Sequence, residues 1–214
     1  MRVKICGLMR LGDVTAALNE GADAVGFVVD SPSSPRNLPL TKAKELMKAV
    51  RVFSTKVMVT SSHDPRRIIR THSKLKPDAV QLHYHTPELV RKLRKNQSST
   101  SLILATGIRG TSSLKQAKSV SRYADAILAD SPSTTGMGGT GRTHDWRLTA
   151  RIRNTIHPLP LILAGGLTPS NVKGAIEIVN PFAVDVSSGV EKTVGVKDHA
   201  KIREFILNAK GSSS

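Results

Sequence analysis

The feature that most limits what this chain can fold into is a repeat. Short apolar, β-branched runs stand at residues 2–5 (RVKI), 24–29 (AVGFVV), 56–60 (KVMVT) and 79–82 (AVQL). They recur at 101–105 (SLILA), 125–129 (DAILA), 160–164 (PLILA) and 183–187 (AVDVS). Runs of this length without strict alternation suit strands buried on both faces, as in a parallel sheet. Helical patterns lie between them. Val14, Ala17 and Leu18 share one stripe, as do Ala43, Leu46, Met47 and Val50, and Ile202, Phe205 and Ile206. Thr41 is the expected N-cap of the second of these helices, and Thr168 followed by Pro169 the expected start of another. Parallel strands need crossover helices, and eight strand–helix units predict a closed (β/α)8 TIM barrel, a single α/β domain over residues 1–210 with a polar tail at 211–214. An open doubly wound sheet is the alternative, but no G-x-G-x-x-G follows the first strand.

Composition narrows the classes. No run approaches the roughly 18 apolar residues of a membrane span, and the start, MRVKICG, lacks the long apolar stretch of a signal peptide. One cysteine, Cys6, cannot form an intrachain disulfide, which fits the cytoplasm. Lys and Arg number 32 against 16 Asp and Glu, a net charge of +16 that favours anionic partners. Aromatic residues are only 3% of the chain, too few to build stacking platforms for single-stranded nucleic acid. A solvated basic exterior that also attracts a small anionic substrate is the better account, with no specific nucleic acid and no membrane as partner.

In a barrel of this class the active site lies on the loops after the strands. The first run is followed by Cys6 and Gly7, the second by a long loop holding Arg36, the fourth by His83, Tyr84 and His85. The longest loop, rich in glycine at 136–141, starts at Asp130 after the sixth run. Gly165 and Gly166 follow the seventh, and Ser187, Ser188 and Gly189 the eighth. Glycines let backbone N–H groups approach an anion, and these two last loops are where such barrels commonly hold phosphate. By itself Cys6 reads as a small buried hydrophobe. His83 and His85 have no matching carboxylate cluster for a metal site and read as satisfied or solvated side chains.

With these motifs in place, the chain resembles phosphoribosylanthranilate isomerase of the tryptophan pathway. The resemblance rests on "KICG", "SPR", "QLH", "GGTGRTxDW", "AGGL" and "VDVSSGVE", in order along essentially the whole chain. It implies an Amadori rearrangement of N-(5′-phosphoribosyl)anthranilate to 1-(2-carboxyphenylamino)-1-deoxyribulose 5-phosphate, with no metal and no organic cofactor. It assigns the general base to Cys6 and the general acid to Asp130. Arg36 is then the partner of the substrate carboxylate, because a guanidinium binds carboxylate in a planar fork. Gly165, Gly166, Ser187, Ser188 and Gly189 bind the phosphate, and Asp185 either supports the site or is a buried, satisfied carboxylate. The base needs a cation or dipole to favour its thiolate, and the acid needs burial or a neighbouring anion to stay protonated near neutrality. Monomer and homodimer both suit a barrel of this size.

The chain departs from the family pattern at Tyr84, at His144, where an aromatic usually precedes "DW", and at the end of the third strand, "VMVTSSH". Two rivals stand against this expectation. One is another phosphosugar barrel enzyme, an epimerase or a histidine-pathway isomerase, the latter carrying an aspartate where Cys6 stands. The other is a non-catalytic anion or nucleic-acid binder exploiting the net charge.

Overall fold

The computed structural model describes residues 1–96, 99–131 and 143–211. The glycine-rich stretch at 136–141 and residues 212–214 of the polar tail lie outside these. Eight parallel strands close into a barrel, β1 (Arg2–Ile5), β2 (Ala24–Val28), β3 (Thr55–Thr60), β4 (Ala79–Leu82), β5 (Ser101–Gly107), β6 (Ala126–Asp130), β7 (Leu161–Leu163) and β8 (Ala183–Val186), each hydrogen-bonded to its sequence neighbour. The seam is β1 against β8, in register from Arg2 opposite Ala183 to Ile5 opposite Val186. Each strand is followed by a helix: α1 (Leu11–Asn19), α2 (Leu40–Lys48), α3 (Pro65–Leu75), α4 (Pro87–Asn96), α5 (Ser112–Ser121), α6 (Trp146–Ile156), α7 (Val172–Val179) and α8 (His199–Lys210). A small hairpin, β9 (Glu191–Thr193) with β10 (Val196–Lys197), fills the last loop.

The side-chain period of two along each strand divides the core into two layers. Val3, Ile5, Val25, Phe27, Met58, Val80, Leu82, Leu102, Leu104, Ile127, Leu161, Leu163, Val184 and Val186 point outward, against the helices. Their alternates fill the barrel: Cys6, Val28, Val57, Val59, Ala79, Ile103, Ala105, Ala126, Leu128, Ile162, Ala164 and Ala183. The interior alternates thus become small or polar where the strands end, and this leaves a cavity at the C-terminal mouth.

Two helix starts differ from expectation. Helix α2 begins at Leu40 with Pro39 before it and no side-chain cap, so Thr41 lies inside the first turn. Proline supplies a fixed φ at the helix entry, which shifts the start one residue ahead of the threonine. Helix α7 begins at Val172, not at Thr168 and Pro169. Residues 168–171 form a preceding turn, in which Asn171 accepts from the Thr168 N–H at 2.8 Å and donates to the Gly166 carbonyl at 2.9 Å. The asparagine thereby ties the helix entry to the loop after β7. By contrast Asp64, Asp145 and Asp198 cap α3, α6 and α8 with their carboxylates.

Helix α8 closes the ring by packing on α1, α7 and β1, with Phe205 fully buried. Phe205→Ala is expected to destabilise the protein by about 3–5 kcal/mol, read as a lower urea midpoint at unchanged m-value.

Candidate active site

Three of the lysines and arginines among the described residues are buried: Lys4, Arg36 and Lys197. The basic helices instead turn theirs outward, as with Arg66, Arg67 and Arg70 on α3. A cation is buried only where something compensates it, and all three buried ones cluster around Cys6 at the mouth, where they interact with it electrostatically. The cavity there is lined by Cys6, Arg36, Gln81, His83, Asp130, Gly165, Gly166, Asp185, Ser187, Ser188 and Gly189, among others. Every site residue expected from the sequence thus lines one cavity.

Lys4 and Cys6 lie two residues apart and share the inward face of the barrel. The Lys4 ammonium donates to Asp185 Oδ1 and to Gln81 Oε1, each at 2.9 Å. Burial opposes its charge, but attraction to Asp185 and then to Cys6 keeps its pKa above the ordinary lysine value. The Cys6 thiol is pushed up: burial outweighs the pull of Lys4, Asp185 adds to the rise, and Lys197 opposes it.

Asp130 is the last residue of β6, not the first of the loop. Its carboxyl is pushed up to about 6, by burial first and then by the negative charge of Asp185, against the Ser131 N–H donated to Oδ1 at 2.8 Å and the charge of Lys4. Both conditions expected for an acid, burial and a neighbouring anion, are therefore met.

The turns after β7 and β8 pack edge to edge. Gly165 has φ of +81°, a region L side chains rarely adopt, and a Cβ there would collide with Ser131 and stand 2.9 Å from Asp130 Oδ1. A Cβ on Gly189 would collide with the Leu167 carbonyl. Ser188 opens a short 3-10 turn, Ser188–Val190.

Arg36 is not an unengaged fork. Its Nε and one terminal nitrogen donate to the two oxygens of Glu191 at 2.8 and 2.6 Å. Lys197 donates to the same carboxylate at 2.9 Å and to the Ser187 carbonyl at 2.9 Å. Lys4, Gln81 and Glu191 stand in the motifs that carry the resemblance but, like Lys197, are assigned no individual role there. The alternation of β1 and β4 was the available signal for Lys4 and Gln81, since each is a polar residue at an inward position.

The family model for N-(5′-phosphoribosyl)anthranilate isomerase matches residues 3–208. The chain belongs to this family. The isomerase of Methanothrix thermoacetophila is 45% identical over 206 residues, covering 96% of each chain. The solved isomerase of Thermotoga maritima superposes with a TM-score of 0.87 at 38% identity, covering 99% of both chains. Another solved isomerase, in complex with reduced 1-(o-carboxyphenylamino)-1-deoxyribulose 5-phosphate, has a TM-score of 0.85 at 37% identity and the same coverage.

Departures from the isomerase pattern are accommodated locally. His144 sits between Ser131 Oγ at 3.0 Å and Thr149 Oγ1 at 2.8 Å, its pKa lowered to about 4 by burial, so its ring bridges the residue after β6 to α6. Tyr84 stacks on His63. His85 bonds the Ala105 carbonyl at 3.0 Å, and His83 faces the barrel mouth. It lines the cavity, lowered to about 4 by burial and then by the charge of Lys4. Continuation of the inward face of β4 past Gln81 puts it there. Among the described residues no three His, Cys, Asp or Glu side chains converge as a metal site.

The raised Asp130 carboxyl has a stability consequence. Folding favours its protonated form, so its contribution is present below about pH 4 and is lost as pH rises through about 6. Asp130→Asn is expected to stabilise the isomerase above pH 7 by on the order of 2 kcal/mol and to leave it unchanged near pH 3, measured by urea unfolding across pH.

Proposed function

We propose that this chain isomerises N-(5′-phosphoribosyl)anthranilate to 1-(2-carboxyphenylamino)-1-deoxyribulose 5-phosphate, with Cys6 as general base and Asp130 as general acid. The observation that carries the assignment of roles is the meeting of Cys6, Asp130 and the two glycine-serine turns at one cavity. A family member's binding of the reduced product supports the choice of substrate.

The substrate phosphate sits against the turns holding Gly165, Gly166, Ser187, Ser188 and Gly189, where small residues let the backbone come close. Arg36 faces the anthranilate carboxylate with the edge that Glu191 does not hold. Asp130, half in its acid form near pH 6, gives a proton to the furanose ring oxygen. The C1′–O bond breaks and the nitrogen lone pair closes a C1′=N Schiff base. Cys6, as thiolate, removes the C2′ proton, and the electron pair moves through C1′ to nitrogen to form the enolamine. Protonation at C1′ and loss of the C2′ hydroxyl proton then give the ketose. Asp185 holds the buried network in place between these two groups. A single cysteine used as a thiol also suits the reducing cytoplasm.

Consumption of phosphoribosylanthranilate by the purified protein, followed by its fluorescence, is the direct test; turnover of the histidine-pathway aminoaldose alone would overturn the assignment. Cys6→Ser and Asp130→Asn are each expected to lower kcat by about 10²–10⁴-fold with little change in substrate affinity, and wild-type kcat in either removes that residue from its role. Arg36→Met is expected to raise KM more than it lowers kcat.

A further inference from the structure

Cys6 as a base poses a problem, because burial favours its neutral thiol. A base must be ionised before it can take a carbon-bound proton, and a buried sulfur is ionised only against a held cation. The charged and titratable groups around it are Lys4 on its own strand, Asp185 on β8, Asp130 on β6, His83 after β4, Arg36 after β2 and Lys197 on β10. Arg36 and Lys197 share Glu191, and Lys4 is likewise paired, with Asp185. His83 is uncharged at neutral pH. What sets Lys4 apart is its place on the same inward face of β1 as Cys6, where it exerts the largest pull of any cation on the sulfur.

Its geometry suits that task. Lys4 stands directly opposite Asp185 in the β1–β8 ladder, and its side chain is 4% exposed. A Cβ built on Gly26 of the next strand would lie 2.8 Å from Cys6 Sγ and 3.2 Å from Lys4 Cε. The two side chains therefore crowd over the same point of β2, which has no side chain to separate them. We infer that Lys4 is a positioning residue for the reaction: its ammonium, anchored by Asp185 and Gln81, is the counter-ion against which Cys6 ionises. On ionisation the S–H bond breaks and the proton leaves to solvent water at the cavity mouth. The thiolate then accepts the C2′ proton, so the sulfur is a thiol again after that step. Asp185 works against this charge while holding it in position, competing with Cys6 for one ammonium. This inference rests on Cys6 being the base.

The test reads Cys6 directly. The pH dependence of its alkylation by iodoacetamide is followed by mass spectrometry in the wild type, Lys4→Met and Asp185→Asn, with folding checked by circular dichroism. Lys4→Met is expected to move the alkylation midpoint up by a pH unit or more, slowing the reaction at pH 8 about tenfold. Asp185→Asn is expected to move it down. The base limb of the kcat/KM–pH profile should shift in the same sense in each variant. An alkylation midpoint unmoved in folded Lys4→Met, or a loss of kcat with the pH profile unmoved, overturns the inference. Should Lys4→Met not fold, because it strands a buried carboxylate, the double variant Lys4→Met/Asp185→Asn removes the pair together. Its midpoint is expected above that of Asp185→Asn, and an equal midpoint overturns the inference. Alkylation reads ionisation whatever the reaction, so a failure of Cys6 as base would show separately, as full activity in Cys6→Ser.

Discussion

The buried ion pair between Lys4 and Asp185 is the constraint around which this barrel is organised. It sits on the seam where the first strand meets the last, between residues 181 positions apart in sequence. Removing two charges from water costs several kcal/mol per ion after relaxation, and mutual attraction recovers this only when the geometry and the extra hydrogen bonds are good. The register of β1 on β8 supplies the geometry and Gln81, reaching from β4, supplies the extra acceptor. A slip of one residue by either strand at the seam would turn its charge outward into the apolar layer beneath the helices and strand the other in the barrel. The pair therefore fixes closure, and closure fixes which loops share the mouth.

The same burial acts on two groups to different effect. It pushes up the Asp130 carboxyl and the Cys6 thiol alike. For a proton donor this is useful, because the acid form persists toward neutral pH. For a proton acceptor it is a handicap, and the cations at the mouth oppose it. The roles proposed for Asp130 and Cys6 thus require uneven charge around them, with Asp185 acting on both and Lys4 set beside the sulfur.

Architecture was legible in the sequence because its signals are local. Each β-branched run marked a strand to within a residue or two at its ends, and the β/α alternation left one plausible closure. Loop position then placed Cys6, Asp130 and the two turns. Helix starts were less legible at Thr41 and Thr168, where α2 and α7 begin after Pro39 and Asn171 with no side-chain cap. Least legible were the partners of charges. Glu191 lies 155 positions from Arg36, and nothing near either residue announces the pairing. A buried charge looks like any other charge until the fold brings its counter-ion to it.

The grip of Glu191 on Arg36 bears on molecular recognition. A free arginine on a loop would have to surrender its rotamer freedom each time a ligand arrived, which weakens binding. Here that loss is taken once, when the chain folds. The guanidinium plane is set by folding, so the carboxylate proposed to bind Arg36 would meet a template of fixed orientation. Discrimination at this end of the cavity then depends on shape as much as on charge. An anion whose oxygens do not match the exposed edge of Arg36 gains little from it, however strongly the positive protein draws it in.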